Sequence, residues 1–227
     1  MNTVLSSDIP TATSTYTYED FYNIQYAKSG NLEALKCLHK QGYKFCDLMT
    51  KTAAKCGHLE CLKYLHEHDC KWHPDTLICA ICNGHLECLK YLHEHGCEWH
   101  EGTTSFAAMY KQNECLKYAM ENGCEWNEYT TTAAATHNNL EVLRYAHENH
   151  HFIHPDTALR CVDSQHVECF TYLFSICDNP QTFWQHAYDK IIPYLNFSRS
   201  EWTPLFSIDL TRFPTLQAKI DYIKFQS

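Results

Sequence analysis

The sequence is poor in residues that form tight turns, with only 7 glycines and 7 prolines among 227 residues. Architectures of many short strands need turn residues at short intervals, so an all-β fold is not expected. Lysine and arginine, 18 in all against 27 acidic residues, form no run, and the net charge of −9 argues against binding to nucleic acid. No stretch approaches the about 20 apolar residues of a membrane helix, so membrane insertion is not expected either.

The N-terminal residues 1–18 contain neither a basic segment nor an apolar core, so no secretory signal is predicted. Without export, the 14 cysteines are expected to stay reduced rather than form disulfides. Apolar residues make up 44% of the chain and charged residues 20%, as is typical of globular proteins. These features predict a soluble protein of the cytoplasm.

A repeat of 27 residues dominates the sequence. The segment GHLECLKYLHEH stands at Gly57–His68 and again at Gly84–His95. A glutamate recurs at the same spacing without insertion or deletion, at Glu33, Glu60, Glu87, Glu114, Glu141 and Glu168. An aromatic column reads Tyr64, Tyr91, Tyr118, Tyr145 and Tyr172. Six registers in one phase predict a repeat architecture over residues 19–178.

Each repeat has the pattern of two short helices. In the third repeat, Asp75 or Thr76 is placed to cap a first helix whose body, residues 77–82, is almost wholly apolar. The second helix carries Glu87 in its first turn, where a negative charge suits the helix dipole. Helices of this length are not stable alone in water, so they must stack on their neighbours. The pattern therefore predicts an all-α solenoid.

Residues 80–87 (AICNGHLE) and 96–100 (GCEWH) resemble the ankyrin repeat, and the resemblance extends over about residues 20–178. Two features depart from the family pattern. The Thr-Pro-Leu-His opening is replaced by DTLI at residues 75–78, and the period is 27 rather than the usual ankyrin 33. The six missing residues fall where ankyrins carry a β-turn finger. The resemblance thus implies an ankyrin-like stack of helix–turn–helix repeats without fingers, and short repeats of this kind resemble those of giant DNA viruses and some protists.

The flanks of the repeat region differ from it in composition. Residues 1–18 are rich in serine and threonine and are predicted to form a flexible tail. Residues 179–227 leave the repeat, and two helices are predicted there, at Thr182–Leu195 and Thr215–Lys224. We expect a C-terminal helical cap, because a terminal repeat needs a polar outer face. The alternative is a separate docking segment with exposed aromatic anchors at Trp184, Trp202, Phe206 and Phe213.

Paired cysteines and histidines raise the hypothesis of a zinc site, because Cys70 and His73 have a ligand-like spacing that Cys97 and His100 repeat. Stacked helices lie about 8–10 Å apart, whereas zinc gathers its ligands at about 2.0–2.3 Å. Reduced cysteine also behaves as a small apolar residue, and these cysteines occupy positions that the ankyrin pattern fills with apolar residues. Structural packing is therefore favoured, no cofactor is expected, and a zinc-binding module is the weaker alternative.

Catalytic motifs are missing from the sequence. It contains no glycine-rich phosphate loop, no nucleophile elbow and no metalloprotease helix motif, so an enzyme is not expected. Two histidine columns remain, His39, His66, His93 and His147 in one and His58, His85 and His166 in the other. Histidine titrates near pH 6.5, so acidification would charge both columns and weaken a stack, although solvated histidines without a sensing role are the favoured interpretation.

Recognition is the remaining function class, and variable positions in a fixed framework are its candidates. The ends of the first helices vary in this way, and the candidate partner-binding residues are Lys55, Cys82, Asn83, Met109, Tyr110, Thr136 and His137. First helices line the concave face of ankyrin-like stacks, so the resemblance implies that these residues contact a partner. Met109 and Tyr110 are the expected anchors. The competing interpretation is that these positions vary because nothing constrains them.

The sequence thus favours a non-enzymatic scaffold that binds another protein, either a host protein or a regulatory protein. The alternative is a structural component of a large assembly, such as a capsid-associated virion protein of a giant virus. Exposed aromatic residues in residues 179–227 would favour that alternative, because permanent interfaces are larger and more apolar.

Overall fold

A computed structural model describes residues 18–164 and 166–176 of the chain. The predicted N-terminal tail, apart from Tyr18, and the predicted C-terminal cap lie outside the described residues. The described residues contain helices and no strand. The helices are α1 (Tyr18–Ser29), α2 (Leu32–Lys40), α3 (Asp47–Lys55), α4 (Leu59–Glu67), α5 (Thr76–Cys82), α6 (Leu86–Glu94), α7 (Thr103–Met109), α8 (Asn113–Glu121), α9 (Thr130–Thr136), α10 (Leu140–Glu148), α11 (Thr157–Asp163) and α12 (Val167–Ser175).

The chain divides into two compact units between Asn127 and Glu128. In the first unit, α1, α3, α5 and α7 are first helices, and each pairs with the second helix that follows it. Neighbouring first helices pack on each other in chain order, and so do neighbouring second helices. The second unit has the same arrangement, with α9 and α11 as first helices and α10 and α12 as second helices. Both units therefore have the predicted all-α architecture of stacked helix–turn–helix repeats.

The same positions are buried in the first helices α3, α5, α7 and α9, which explains why the period is strict. In α3 they are Met49, Thr50, Ala53 and Ala54, and the corresponding positions of α5, α7 and α9 are buried too. Residues spaced i, i+1, i+4 and i+5 lie on one side of a helix. Small residues in two of these positions let the neighbouring first helices approach closely. An insertion within a repeat would move this side out of register with its neighbours.

Asp75, one of the two predicted caps, occupies the N-cap position of α5, but its side chain makes no capping hydrogen bond. Its carboxylate instead accepts from Nζ of Lys51 on the preceding first helix, at 2.6 Å. The side chain thus connects two repeats, and this electrostatic partner competes successfully with the helix N-terminus.

Buried threonine hydroxyls connect successive repeats at the starts of the first helices. Thr50 Oγ1 accepts the backbone N–H of His73 at 3.3 Å, and Thr104 accepts that of Asn127 at 3.0 Å. In the second unit, Thr131 accepts the N–H of His154 at 3.0 Å. These hydroxyls satisfy loop donors that would otherwise be buried without a partner. These threonines were missed in the sequence, although Thr104 and Thr131 are 27 residues apart there; Leu77 takes the equivalent position between Thr50 and Thr104.

The histidine columns also form contacts between repeats. Nδ1 of His66 hydrogen-bonds the hydroxyl of Tyr91 at 3.0 Å, and the same pairing recurs one repeat apart. The His66 ring stacks on Trp72 with 4.3 Å between ring centroids. Trp72 Nε1 in turn donates to the carbonyl of His95 in the next repeat, at 3.3 Å. These histidines are therefore structural, and not simply solvated as the sequence favoured.

Candidate partner-binding surface

The predicted partner-binding residues lie at the C-terminal ends of the first helices. Lys55, Cys82 and Met109 are the last residues of α3, α5 and α7, and Asn83 and Tyr110 follow as C-cap residues. Because these three helices pack side by side in the first unit, the five residues lie along one edge of it.

Thr136 and His137 hold the same two positions at the end of α9 in the second unit. Their polar groups are engaged with their own helix. Thr136 Oγ1 donates to the carbonyl of Thr132 at 2.8 Å, and Nδ1 of His137 lies 3.0 Å from the carbonyl of Ala133. A partner would have to compete with these local bonds, so the stronger candidates are in the first unit.

Tyr110 and Met109 remain the best anchors among the predicted residues. Tyr110 is 50% exposed, which places it among the few large apolar side chains that the described residues leave open to solvent. Met109 beside it is half-buried. Asn83, by contrast, donates from Nδ2 to the carbonyl of Cys79 at 2.8 Å and so has one donor committed to its own helix.

A histidine from the following helix pair fixes the backbone at these helix ends. Nε2 of His85 donates to the carbonyl of Lys55 at 3.1 Å, and Nε2 of His58 donates to that of Lys28 at 3.0 Å. His166 makes the equivalent bond to Thr136 in the second unit, at 3.0 Å. The last carbonyls of a helix lack partners within the helix, so these bonds satisfy groups that would otherwise rely on water. They also hold the candidate residues in a fixed position.

The structure extends the candidate site beyond the helix ends to a whole face. We define the first-helix face of the first unit as the two positions that follow each buried pair in α3, α5 and α7, together with the corresponding positions of α1. Its members are Ile24, Gln25, Lys28, Ser29, Lys51, Thr52, Lys55, Cys56, Ile78, Cys79, Cys82, Asn83, Ser105, Phe106, Met109 and Tyr110. All of them are exposed or half-buried. The sequence did contain a signal for the members in the middle of the helices. They have the same i, i+1, i+4, i+5 spacing as the buried positions, shifted by two residues.

Cys79 and Cys82, the two cysteines that α5 contributes to this face, are neutral thiols at pH 7. Burial raises the pKa of Cys79 and of Cys82 above the ordinary value. A protonated thiol is a poor nucleophile and a small apolar surface element. These side chains therefore add apolar area to the face rather than charge or reactivity.

The suggested zinc ligands have structural roles instead. Cys70 is buried and its Sγ donates to the carbonyl of Cys46 at 3.2 Å, and burial raises its pKa to about 12. Nδ1 of His73 accepts the backbone N–H of Asp75 at 3.1 Å. Within residues 18–164 and 166–176, no group of three His, Cys, Asp or Glu side chains is placed to hold a metal ion.

Comparison with known proteins agrees with this geometry. Residues 24–102 match the family model of ankyrin repeats in three copies. The human ASB11 ankyrin repeat domain, one of 18 matching chains of solved structures, is similar to this chain with a TM-score of 0.58 and 20% identity. That match covers 69% of this chain and 84% of the human domain. No curated protein matches the sequence.

Residues 24–102 are therefore ankyrin repeats, and the predicted fold class is confirmed by the family match and by the solved structure. Ankyrin repeats generally mediate interactions between proteins. In the part of the chain that the structure describes, no helix is long and apolar enough to cross a membrane.

Proposed function

We propose that this protein is a non-enzymatic scaffold that binds a partner protein through the first-helix face of its first unit. The observation that carries the proposal is the half-exposed Tyr110 beside Met109, continuous with the half-buried Phe106 and Ile78. Aromatic and methionine side chains in such a setting are the usual centres of binding energy at protein interfaces.

The second helices of the first unit offer a different kind of surface. Lys63 pairs with Glu60 at 2.9 Å, and Lys90 pairs with Glu87 at 2.7 Å. Pairs of this kind recur along the second helices and satisfy one another in solvent. A surface whose charges are already paired offers a partner little, which favours the first-helix face as the binding surface.

The buried cysteines support the non-enzymatic part of the proposal. Burial raises the pKa of Cys88 and of Cys115 to about 11, so neither carries an appreciable thiolate fraction at pH 7. A cysteine nucleophile needs a lowered pKa or an adjacent base.

The experiment is affinity purification of the tagged full chain from its native or infected cell, with mass spectrometry of the proteins retained. Met109→Ala/Tyr110→Ala is the test variant, and Glu87→Ala/Lys90→Ala, which removes a charge pair on a second helix, is the matched control. We expect a partner that is retained by the control and lost by the test variant. A partner retained equally by both variants would contradict the proposed surface.

The same experiment addresses the second candidate, a structural component of a large assembly such as a viral capsid. That reading depends on residues 179–227, which lie outside the described residues. Co-purification of assembly proteins, unchanged by Met109→Ala/Tyr110→Ala, would favour it over the adaptor. Either candidate is consistent with the cytoplasmic location that we propose.

A further inference from the structure

The first-helix face of the first unit lacks carboxylates, although the whole chain has a net charge of −9. Its 16 positions include Lys28, Lys51 and Lys55 and neither aspartate nor glutamate. Lys111 follows Tyr110 directly and is exposed at the same edge. The face is therefore locally positive on an acidic protein.

Three of these lysines have no carboxylate partner in the part of the chain that the structure describes. Lys51 is paired with Asp75 at 2.6 Å, but among residues 18–164 and 166–176 no ion pair involves Lys28, Lys55 or Lys111. Four lysines of the second helices differ in this respect, because each is paired with the glutamate three residues before it: Lys36, Lys63, Lys90 and Lys117. The face thus carries cationic groups that remain available to a partner.

The helix dipole explains only part of this distribution. A cation is stabilised near a helix C-terminus, which accounts for Lys28 and Lys55 in the last turns of α1 and α3. It also accounts for Lys111 beside the C-cap residue of α7, but not for the lack of acidic residues at the middle of all four helices. Repulsion of unwanted basic partners and attraction of acidic ones account for this lack.

An apolar strip separates the two lysines at the ends of α3 and α7. It consists of half-buried side chains of α5 and α7: Ile78, Cys79, Cys82, Phe106 and Met109. Neighbouring helices pack about 8–10 Å apart, so Lys55 and Lys111, at the ends of helices two steps apart, are separated by about 16–20 Å. A partner that pairs with both lysines and covers the apolar strip therefore needs apolar side chains between two negative charges that are separated by this distance.

We propose that the first-helix face of the first unit binds a peptide segment of a partner protein in which apolar side chains lie between carboxylates. The inference rests on the proposed function and adds the chemistry of the partner. The carboxylates pair with Lys55 and Lys111, and the apolar side chains cover the strip between them. Nucleic acid would supply negative charge but would leave the apolar strip uncovered, so the observations favour a protein segment.

The test is selection of a phage-displayed library of random 12-residue peptides on the full-length protein, followed by dissociation constants for the enriched peptides. We expect the enriched peptides to combine aspartate or glutamate with large apolar residues. Reversing two charges with Lys55→Glu/Lys111→Glu removes two attractions and adds two repulsions, so affinity should fall about tenfold or more. The matched control is Lys63→Glu/Lys117→Glu on the second helices, which should leave affinity unchanged.

Enriched peptides that lose affinity in Met109→Ala/Tyr110→Ala but not in Lys55→Glu/Lys111→Glu would overturn the acidic partner and leave the proposed surface standing. Peptides that are indifferent to both variants would contradict the surface as well. Failure to enrich any peptide whose affinity depends on Lys55 and Lys111 overturns the inference. It is also overturned if a 20-nucleotide oligo-dT binds the wild type but not the charge-reversed variant, and no acidic peptide shows that difference.

Discussion

Replacement of Gly57 by alanine tests whether histidines join successive repeats. Gly57 has a φ of +75°, and an added Cβ would lie 2.5 Å from Nδ1 of His85. That ring donates from Nε2 to the carbonyl of Lys55 at 3.1 Å, so it cannot move without losing this hydrogen bond. Gly42 is a matched control, because its φ is +82° and nothing lies within 4 Å of its added Cβ.

Both substitutions place an alanine in left-handed backbone, and only Gly57→Ala also displaces a histidine ring. A non-glycine residue in the left-handed region costs about 1–2 kcal/mol. Loss of the hydrogen bond of His85 adds about 1 kcal/mol. We therefore expect Gly42→Ala to lower the free energy of unfolding by about 1–2 kcal/mol, and Gly57→Ala to lower it by about 2–3 kcal/mol.

Urea unfolding followed by helical circular dichroism measures both changes. In a His85→Ala background, the added Cβ at position 57 meets no ring, so the excess cost over Gly42→Ala should disappear. Equal costs for Gly57→Ala and Gly42→Ala would refute the reasoning. An excess that persists in the His85→Ala background would refute it too.

Three further predictions concern the hydrogen bonds, the titration and the thiols. Thr131→Val removes the buried acceptor of a loop N–H and should lower the free energy of unfolding by about 1–3 kcal/mol, while Thr132→Val, whose hydroxyl is less buried and bonds its own helix, should cost less in the same urea assay. Burial lowers the pKa of His66, so the unfolded chain binds the proton more tightly than the folded chain, and the melting temperature should be lower at pH 5 than at pH 7.5. His66→Gln should reduce this difference, and equal or higher stability at pH 5 would contradict the prediction. With iodoacetamide at pH 8, mass spectrometry should find Cys37, which is exposed, alkylated in the native protein, and Cys88, which is buried with a pKa of about 11, alkylated only after unfolding.

The helical pairs could be predicted from the sequence because the period alone determines them. A short, almost wholly apolar segment after a cap signal placed a helix over 77–82, and the structure has α5 at Thr76–Cys82. Short helices need neighbours, and the repeat shows where the neighbours are. The hydrogen bonds between repeats could not be predicted, because His85 and its acceptor at Lys55 are 30 residues apart. Only the stacking geometry brings those two groups together.

The candidate binding surface could be predicted in part, for a related reason. Variation at the helix ends pointed to Lys55, Met109 and Tyr110, and the structure places them along one edge of the first unit. The middle of the face was missed because α5 is apolar almost all round, so its sequence does not show which side is buried. The packing of α5 between α3 and α7 decides that, and leaves Ile78 half-buried while Leu77 is fully buried.

The constant 27-residue period makes the helix pair a module that can be removed or duplicated whole. Joining Cys56 to Gly84 would delete 27 residues, and His85 would then stand 30 residues from Lys28, the separation that His58 has now. His39 would likewise meet Tyr91 in place of Tyr64, its present partner. Unequal recombination between the identical segments at Gly57–His68 and Gly84–His95 would therefore yield chains that differ in length and in the extent of the proposed binding surface, yet keep these histidine hydrogen bonds between repeats.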